Sequence, residues 1–241
     1  MLLHGLGGYA REWAETANWL IERARVIAFD ARGHGDSDRS PSDVSRGAHV
    51  DDVIFLIEQM TASPVVLIGQ SLGGSTAFLV AAKRPDLIRG LILVEAAPAD
   101  GKAVNIDDLE VALSGWPVLF RSRESALAFF GGPSLTADAW VGGLEERDGG
   151  LWPRFDVGVM VETLRLAHSE SNWAEWRLIQ CPTLVVRAEN GIIAKSEVEA
   201  MIAQLPHARS TQIAEAKHDL HLDRPEEWRV TVESFLDRLE R

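Results

Sequence analysis

The stretch Val65–Ala77, read Val-Val-Leu-Ile-Gly-Gln-Ser-Leu-Gly-Gly-Ser-Thr-Ala, constrains this chain more than any other. Four aliphatic residues in a row read as a short buried strand. The small residues from Ser75 to Ala82 read as a helix packed closely on it. Between them stands Gly69-x-Ser71-x-Gly73, the spacing of a nucleophile elbow. The reason for the pattern is steric. A serine on so sharp a strand-to-helix turn sits in strained backbone, and side chains two positions to either side would collide with neighbouring elements; glycine removes the collision. The turn also sets the serine at the positive end of the following helix, where developing negative charge is favoured.

The bulk numbers bound what this turn can belong to. A chain of 241 residues, 46% of them hydrophobic, can bury one sizeable core, or a core with an insert. With 36 acidic against 24 basic residues the net charge is −12, and no Lys/Arg-rich run occurs, so neither nucleic acid nor an anionic membrane is expected as a partner. The lone Cys181 precludes an intrachain disulfide, and its flanks Gln180 and Pro182 read as a buried lead-in to a strand. No apolar run reaches membrane-spanning length and no signal peptide opens the chain, so a cytoplasmic location is expected.

In order, Leu2-Leu3 begins a strand that meets His4-Gly5-Leu6-Gly7-Gly8, a glycine-rich turn able to turn backbone N–H groups toward an anion. Trp13, Ala17 and Leu20 stand at helical spacing. Arg25–Phe29 reads as a strand and runs into Asp30-Ala31-Arg32-Gly33-His34-Gly35-Asp36-Ser37, a loop whose charges can satisfy one another, so His34 is read as structural. Val50–Met60 reads as a helix with Val53, Ile54, Ile57 and Met60 inward. After the elbow, Gly90–Val94 is an apolar strand ending at Glu95. Strands alternating with helices predict a mostly parallel sheet covered on both faces, with the active site at the carboxyl ends of its strands. After Pro98 the alternation breaks. Residues 99–179 read as a helical lid, with Trp116, Trp140, Trp152, Trp173 and Trp176 divided between a substrate pocket and the lid's own core. His168 is placed on a lid-helix surface. The rhythm resumes at Thr183–Arg187. Ser196 and Glu199 read as a capping box opening a helix to Leu205. Arg209–Ile213 is the last strand, and Pro225 starts a closing helix that runs to Leu239. The core thus comprises residues 1–98 and 180–241.

Taken together, the His4–Gly8 turn, the Asp30–Ser37 loop, the Gly69–Gly74 elbow and the His218 loop before Asp223-Arg224-Pro225 resemble the α/β-hydrolase family with an inserted cap. The resemblance covers nearly the whole chain outside the lid. It implies Ser71 as nucleophile, His218 as base, and an oxyanion hole formed by the backbone amides of Leu6 and Leu72. His221 is the competing base; family position favours His218, and His221 is assigned to packing or the pocket lining. Most relatives place the triad acid, usually aspartate, after the strand Leu184–Arg187, but that position here falls on Gly191. Glu189 lies near the right loop but early. Glu95, at the end of the strand after the nucleophile unit, matches a subset that includes some haloalkane dehalogenases and zearalenone-type lactonases. An acid at the end of an apolar buried strand needs a partner, which favours Glu95 with Glu189 as the alternative. Gly5, Gln70, Trp116 and Trp140 are the candidate substrate-contacting residues. Family members carry two strands before the one ending at His4. Those residues are missing here: either the start is placed too late or an edge of the sheet is lost, and in the second case Leu2–Leu3 is expected at an exposed sheet edge. A serine nucleophile disfavours the branches that attack with aspartate. The expected activity is hydrolysis of a carboxylic ester or lactone with an apolar acyl or ring part, by a monomer or homodimer. C–C bond or thioester hydrolysis, or non-catalytic ligand binding on the same fold, are the alternatives. No metal-ligand spacing or dinucleotide-type phosphate loop occurs, and no cofactor is expected.

Overall fold

The computed structural model describes residues 1–98 and 106–239. Its centre is a five-stranded, wholly parallel sheet: β1 (Leu2–Leu3), β2 (Val65–Gln70), β3 (Ile88–Val94), β6 (Thr183–Ala188) and β7 (Ala208–Ile213), in the order β1-β2-β3-β6-β7. In β3 both faces are buried, as its unbroken aliphatic run requires. Leu91 and Leu93 pack toward one face with α2 (Arg46–Met60), α3 (Leu72–Lys83) and α9 (Lys195–Gln204); Ile92 and Val94 pack toward the other with α1 (Ala14–Leu20) and α11 (Pro225–Leu239). All four are completely buried, each stabilising the fold by roughly 1.5–3 kcal/mol over an exposed position. In α11 the buried residues Trp228, Val232, Phe235 and Leu236 recur at helical spacing, and Trp228 Nε1 donates to Thr16 Oγ1 of α1 at 2.9 Å.

Several expectations are corrected. Arg25–Phe29 forms no strand. It is joined to the sheet by one bridge, Ala28 with Leu2, and by Leu2 N–H donating to Ile27 O at 2.8 Å. A two-residue β1 offers too short a ladder for more. That segment nevertheless covers the outer side of β1, so Leu2 and Leu3 are buried and are not an exposed edge. Helix α1 is preceded by a 3-10 turn at Ala10–Trp13. Helix α2 starts earlier than its apolar stripe, because the Ser45 hydroxyl caps it by accepting from Ala48 N, and Met60 at its end is exposed. Helix α3 begins at Leu72, directly on the nucleophile candidate. Helix α9 starts at Lys195 with Ala194 at the cap and no side-chain capping bond. Ser196 is therefore inside the first turn and the expected capping box does not form.

The insertion carries α4 (Ile106–Ser114), α5 (Arg123–Phe129), α6 (Leu135–Gly142), α7 (Val157–Ala167) and α8 (Trp173–Trp176). Its first residues, 99–105, lie outside the described ones. It also holds a small antiparallel hairpin, β4 (Glu145–Arg147) with β5 (Gly150–Trp152), which the sequence reading did not anticipate. Its own buried cluster is small: Phe120, Ala126, Val141 and Leu144. Trp116 is the hub of an aromatic group, with ring centroids 4.9 Å from Phe130, 5.6 Å from Trp140 and 5.1 Å from Phe155. Trp176, although within the insertion's span, packs into the core. Its ring meets Phe78 edge-on at 6.2 Å and its Nε1 donates to Met201 O at 3.0 Å. His168 is half-buried at the end of α7, not on a lid surface. Cys181 is buried, which pushes its thiol up to about 11, as an inert structural thiol requires.

Candidate active site

Ser71 stands between β2 and α3 with φ 51° and ψ −117°, a region a non-glycine residue rarely occupies and one that costs on the order of 1–3 kcal/mol. The strain is held from both sides. Ser71 N–H donates to Val94 O at 2.8 Å and its carbonyl accepts from Ser75 N at 2.9 Å. The glycines are there because nothing else fits. A Cβ at Gly69 would overlap the backbone of Gly73, one at Gly73 the carbonyls of Leu3 and His4, and one at Gly74 the Ala96 side chain. The contact at Gly73 seats the end of β1 directly against the first turn of α3. The His4–Gly8 turn and the elbow therefore lie side by side. A Cβ at Gly5 would overlap Gln70 Oε1 and approach Ser71 Cβ to 3.3 Å. Leu72 is the first residue of α3, so its N–H has no acceptor within the helix, and Leu6 is the residue after Gly5 in the neighbouring turn.

This turn is fixed from behind. His4 is buried; its Nδ1 lies 2.7 Å from Gly5 O, and its Nε2 accepts from Ala31 N at 2.9 Å. Nδ1 therefore carries the proton, and burial lowers the ring's affinity for a second one. His34 packs against it at 5.0 Å between centroids, with Nδ1 2.9 Å from Arg32 O. Burial holds His34 down to about 3, so it is a neutral structural side chain. Asp30 organises the surrounding loop by accepting from Ala10 N and Asp36 N.

The two candidate acids fare differently. Glu95 follows β3 with φ 50° and is 1% exposed. Its Oε1 accepts from Ala188 N at 2.7 Å, and its Oε2 accepts from Ile192 N at 2.6 Å and lies 3.6 Å from His218 Nδ1. A Cβ at Gly191 would overlap the Glu95 carboxylate. The space beside Gly191 is thus filled by a carboxylate reaching across from the adjacent strand. Glu189 points elsewhere and accepts from Glu215 N at 2.8 Å.

His218 is half-exposed on the loop after β7. Gln70, next to Ser71, donates Nε2 to His218 O at 3.3 Å, which ties that loop to the elbow. His221 is 1% exposed, stacks on Trp13 at 4.2 Å and has Nε2 3.7 Å from Glu12 Oε1. Burial holds it down to about 3, so it is a packing residue, not a competing base. Two carboxyls escaped the sequence reading. Burial pushes Glu12 well above the usual carboxylate range; its Oε2 accepts from Tyr9 N at 3.3 Å, under the glycine turn. Burial also raises Asp219, whose Oδ2 accepts from Trp140 Nε1 at 3.2 Å and Oδ1 from Gln70 Nε2 at 3.3 Å. The only signal for Asp219 in the sequence was its place directly after His218. Trp140 and Trp116 face the glycine turn from the cap, with Gly7, Gly8, Tyr9, Arg154 and Phe155 around the same small cavity.

A parallel sheet with helices and a hairpin between β3 and β6, and a strained serine between strand and helix, define a class. The sequence profile of the alpha/beta hydrolase fold matches residues 1–225, and the chain belongs to that family. Along its length it is similar to 2-(acetamidomethylene)succinate hydrolase of Mesorhizobium japonicum, at 28% identity over 98% of this chain and 87% of the relative. It is 30% identical to the sn-1-specific diacylglycerol lipase ABHD11 of Mus musculus, over 98% of this chain and 80% of the relative. The crystal structure of E-2-(acetamidomethylene)succinate hydrolase superposes with a TM-score of 0.88 at 26% identity, covering 98% of this chain and 90% of that one. These relatives are hydrolases. No described helix is long and apolar enough to cross a membrane.

Proposed function

We propose that the protein is a serine hydrolase that cleaves a carboxylic ester or lactone through an acyl-enzyme. The observation that carries this reading is the Glu95 carboxylate lying 3.6 Å from His218 Nδ1, in the slot that Gly191 leaves empty. That separation exceeds a hydrogen bond, and catalytic contacts of this kind shorten in the reacting complex. Ser71 Oγ attacks the acyl carbon while His218 takes its proton; Glu95 fixes the imidazole tautomer and stabilises the cation that forms. The N–H groups of Leu6 and Leu72, with the positive end of α3, receive the charge that develops on the acyl oxygen. His218 returns its proton to the leaving alkoxide, then activates the water that releases the acid. The aromatic group around Trp116 and Trp140 suits an apolar acyl or ring part.

A second reading keeps the same residues and changes the bond. Similarity over the whole chain to 2-(acetamidomethylene)succinate hydrolase favours an amide-type or C–C bond in an acidic substrate. Turnover of p-nitrophenyl acetate and butyrate tests the first reading. We expect hydrolysis by the intact chain and a loss of at least about 10³-fold in Ser71→Ala. Activity that survives this substitution would refute the nucleophile, and tight ligand binding without turnover would favour a binding protein.

A further inference from the structure

One face of α6 reaches the base loop at two points. Thr136 and Trp140 are four residues apart, hence neighbours on the helix surface. Thr136 Oγ1 donates to Asp223 Oδ1 at 2.9 Å, and Trp140 Nε1 donates to Asp219 Oδ2 at 3.2 Å. Asp219 adjoins His218 in sequence and stands at the N-terminal boundary of the short helix α10 (Leu220–Asp223), without a side-chain capping bond. Its other oxygen accepts from Gln70, whose amide also donates to His218 O. Both oxygens of one carboxylate are thereby engaged by two elements, the cap through Trp140 and the elbow through Gln70. Trp140 has a second task, since its ring faces Gly7 of the glycine turn and packs between Trp116 and Phe130.

We propose that Asp219 is a positioning residue that couples the docking of cap helix α6 to the placement of His218. This rests on His218 being the base. Asp219 is a half-buried carboxylate with two donors. Lifting α6 takes away the indole N–H of Trp140 and, with Thr136, the tie to Asp223. The base loop keeps its bonds to Gln70 but loses its anchor on the cap, and is freer to move. A seated cap therefore holds the loop that carries the histidine in place, and a displaced cap releases it. Substrate that fills the space beside Trp140 with the cap seated meets an aligned base. Neither Asp219 nor Trp140 reacts; each acts through His218.

The test is a double-mutant cycle in the full chain with p-nitrophenyl butyrate, using Asp219→Asn and Trp140→Phe; phenylalanine keeps the apolar wall and removes the N–H. Each single variant should lower kcat about 10-fold or more with KM changed by less than about 3-fold. The double variant should match the worse single variant, not the product of the two, because both break one coupling. Hydrogen exchange reads the same coupling without turnover. Trp140→Phe should speed exchange of the amides of residues 217–222, and Asp219→Asn should speed exchange in α6, while β3 stays protected in both. Losses that multiply, losses confined to KM, or exchange at 217–222 unmoved by Trp140→Phe would overturn the proposal. If the intact chain turns over no ester, the hydrolase reading on that substrate fails and the exchange measurement alone decides the coupling. If Asp219→Asn does not fold, Trp140→Phe decides it, since that change leaves the base loop's own residues intact.

Discussion

The sheet core and the cap are built by different rules. Every aliphatic residue from Leu91 to Val94 is fully buried between two helical layers, whereas among the described residues the cap's own buried cluster is Phe120, Ala126, Val141 and Leu144. The cap depends on contacts with the core: Trp140 and Thr136 on the base loop, Arg154 on Asp36, and Arg39 of the core on Glu145 at 2.8 Å. The ion pairs among these are partly exposed and worth little individually. The contrast teaches a division of labour. The core can hold a strained serine because its packing over-determines the turn; the helices between β3 and β6 are held to it by a few polar contacts.

The comparison breaks first if chemistry does not reside in the core. Glu95→Gln should lower kcat by about 10³-fold or more with little change in KM, as expected when the group orienting a catalytic imidazole loses its charge. Glu189→Gln should stay within about 2-fold. Similar, mild effects in steady-state assays of the two would remove Glu95 from the triad.

Stability should divide along the same line. Leu93→Ala opens a cavity between layers that cannot collapse, so it should fall toward the upper end of the ~2–5 kcal/mol seen for such changes. Leu144→Ala in the cap should lie at or below the lower end, because its loosely held surroundings can close in, and it should raise KM a few-fold. Urea unfolding and steady-state kinetics on both variants measure this. Equal destabilisation would show the cap to be as firmly packed as the sheet.

Acid should attack the core. Burial holds His34, His49 and His221 down to about 3 and lowers His4 as well, and all four lie in the core. In the unfolded chain these rings take a proton near 6.5. Between that value and about 3 the unfolded state binds more protons, so the stability is present above pH 6.5 and is lost as pH falls. His34, His49 and His221 each contribute roughly 1.4 kcal/mol per pH unit in that window, and His4 acts in the same direction. Glu12 and Asp219, raised by burial, act with the opposite sign, but they are two against four. Unfolding free energy should therefore drop steeply from pH 7 to pH 5; a flat profile would mean that these rings are protonated in the fold.

Some of this was legible without a structure. The elbow was, because its cause is local: the clash that forbids a side chain at Gly69 is with Gly73, a few residues along. The inertness of His34 followed from its loop, and the closing helix from Pro225 and its spacing. The hairpin β4–β5 was not, because its segments are short and the chain around them reads as irregular. The strand expected at Arg25–Phe29 failed because a ladder depends on the partner, and β1 offers only two residues.

The sequence by itself determined the parallel sheet, the serine at its turn and the histidine after the last strand, since each is written in a few adjacent residues. It left two acids open. Only the tertiary structure decided where their carboxylates lie, through the pairing of β3 with β6, Val94 opposite Val186. That register sets Glu95 beside the amides of Ala188 and Ile192 and beside His218, and turns Glu189 toward Glu215. Strand pairing joins residues more than ninety positions apart, and no local pattern of side chains encodes which carboxylate will end up next to the ring.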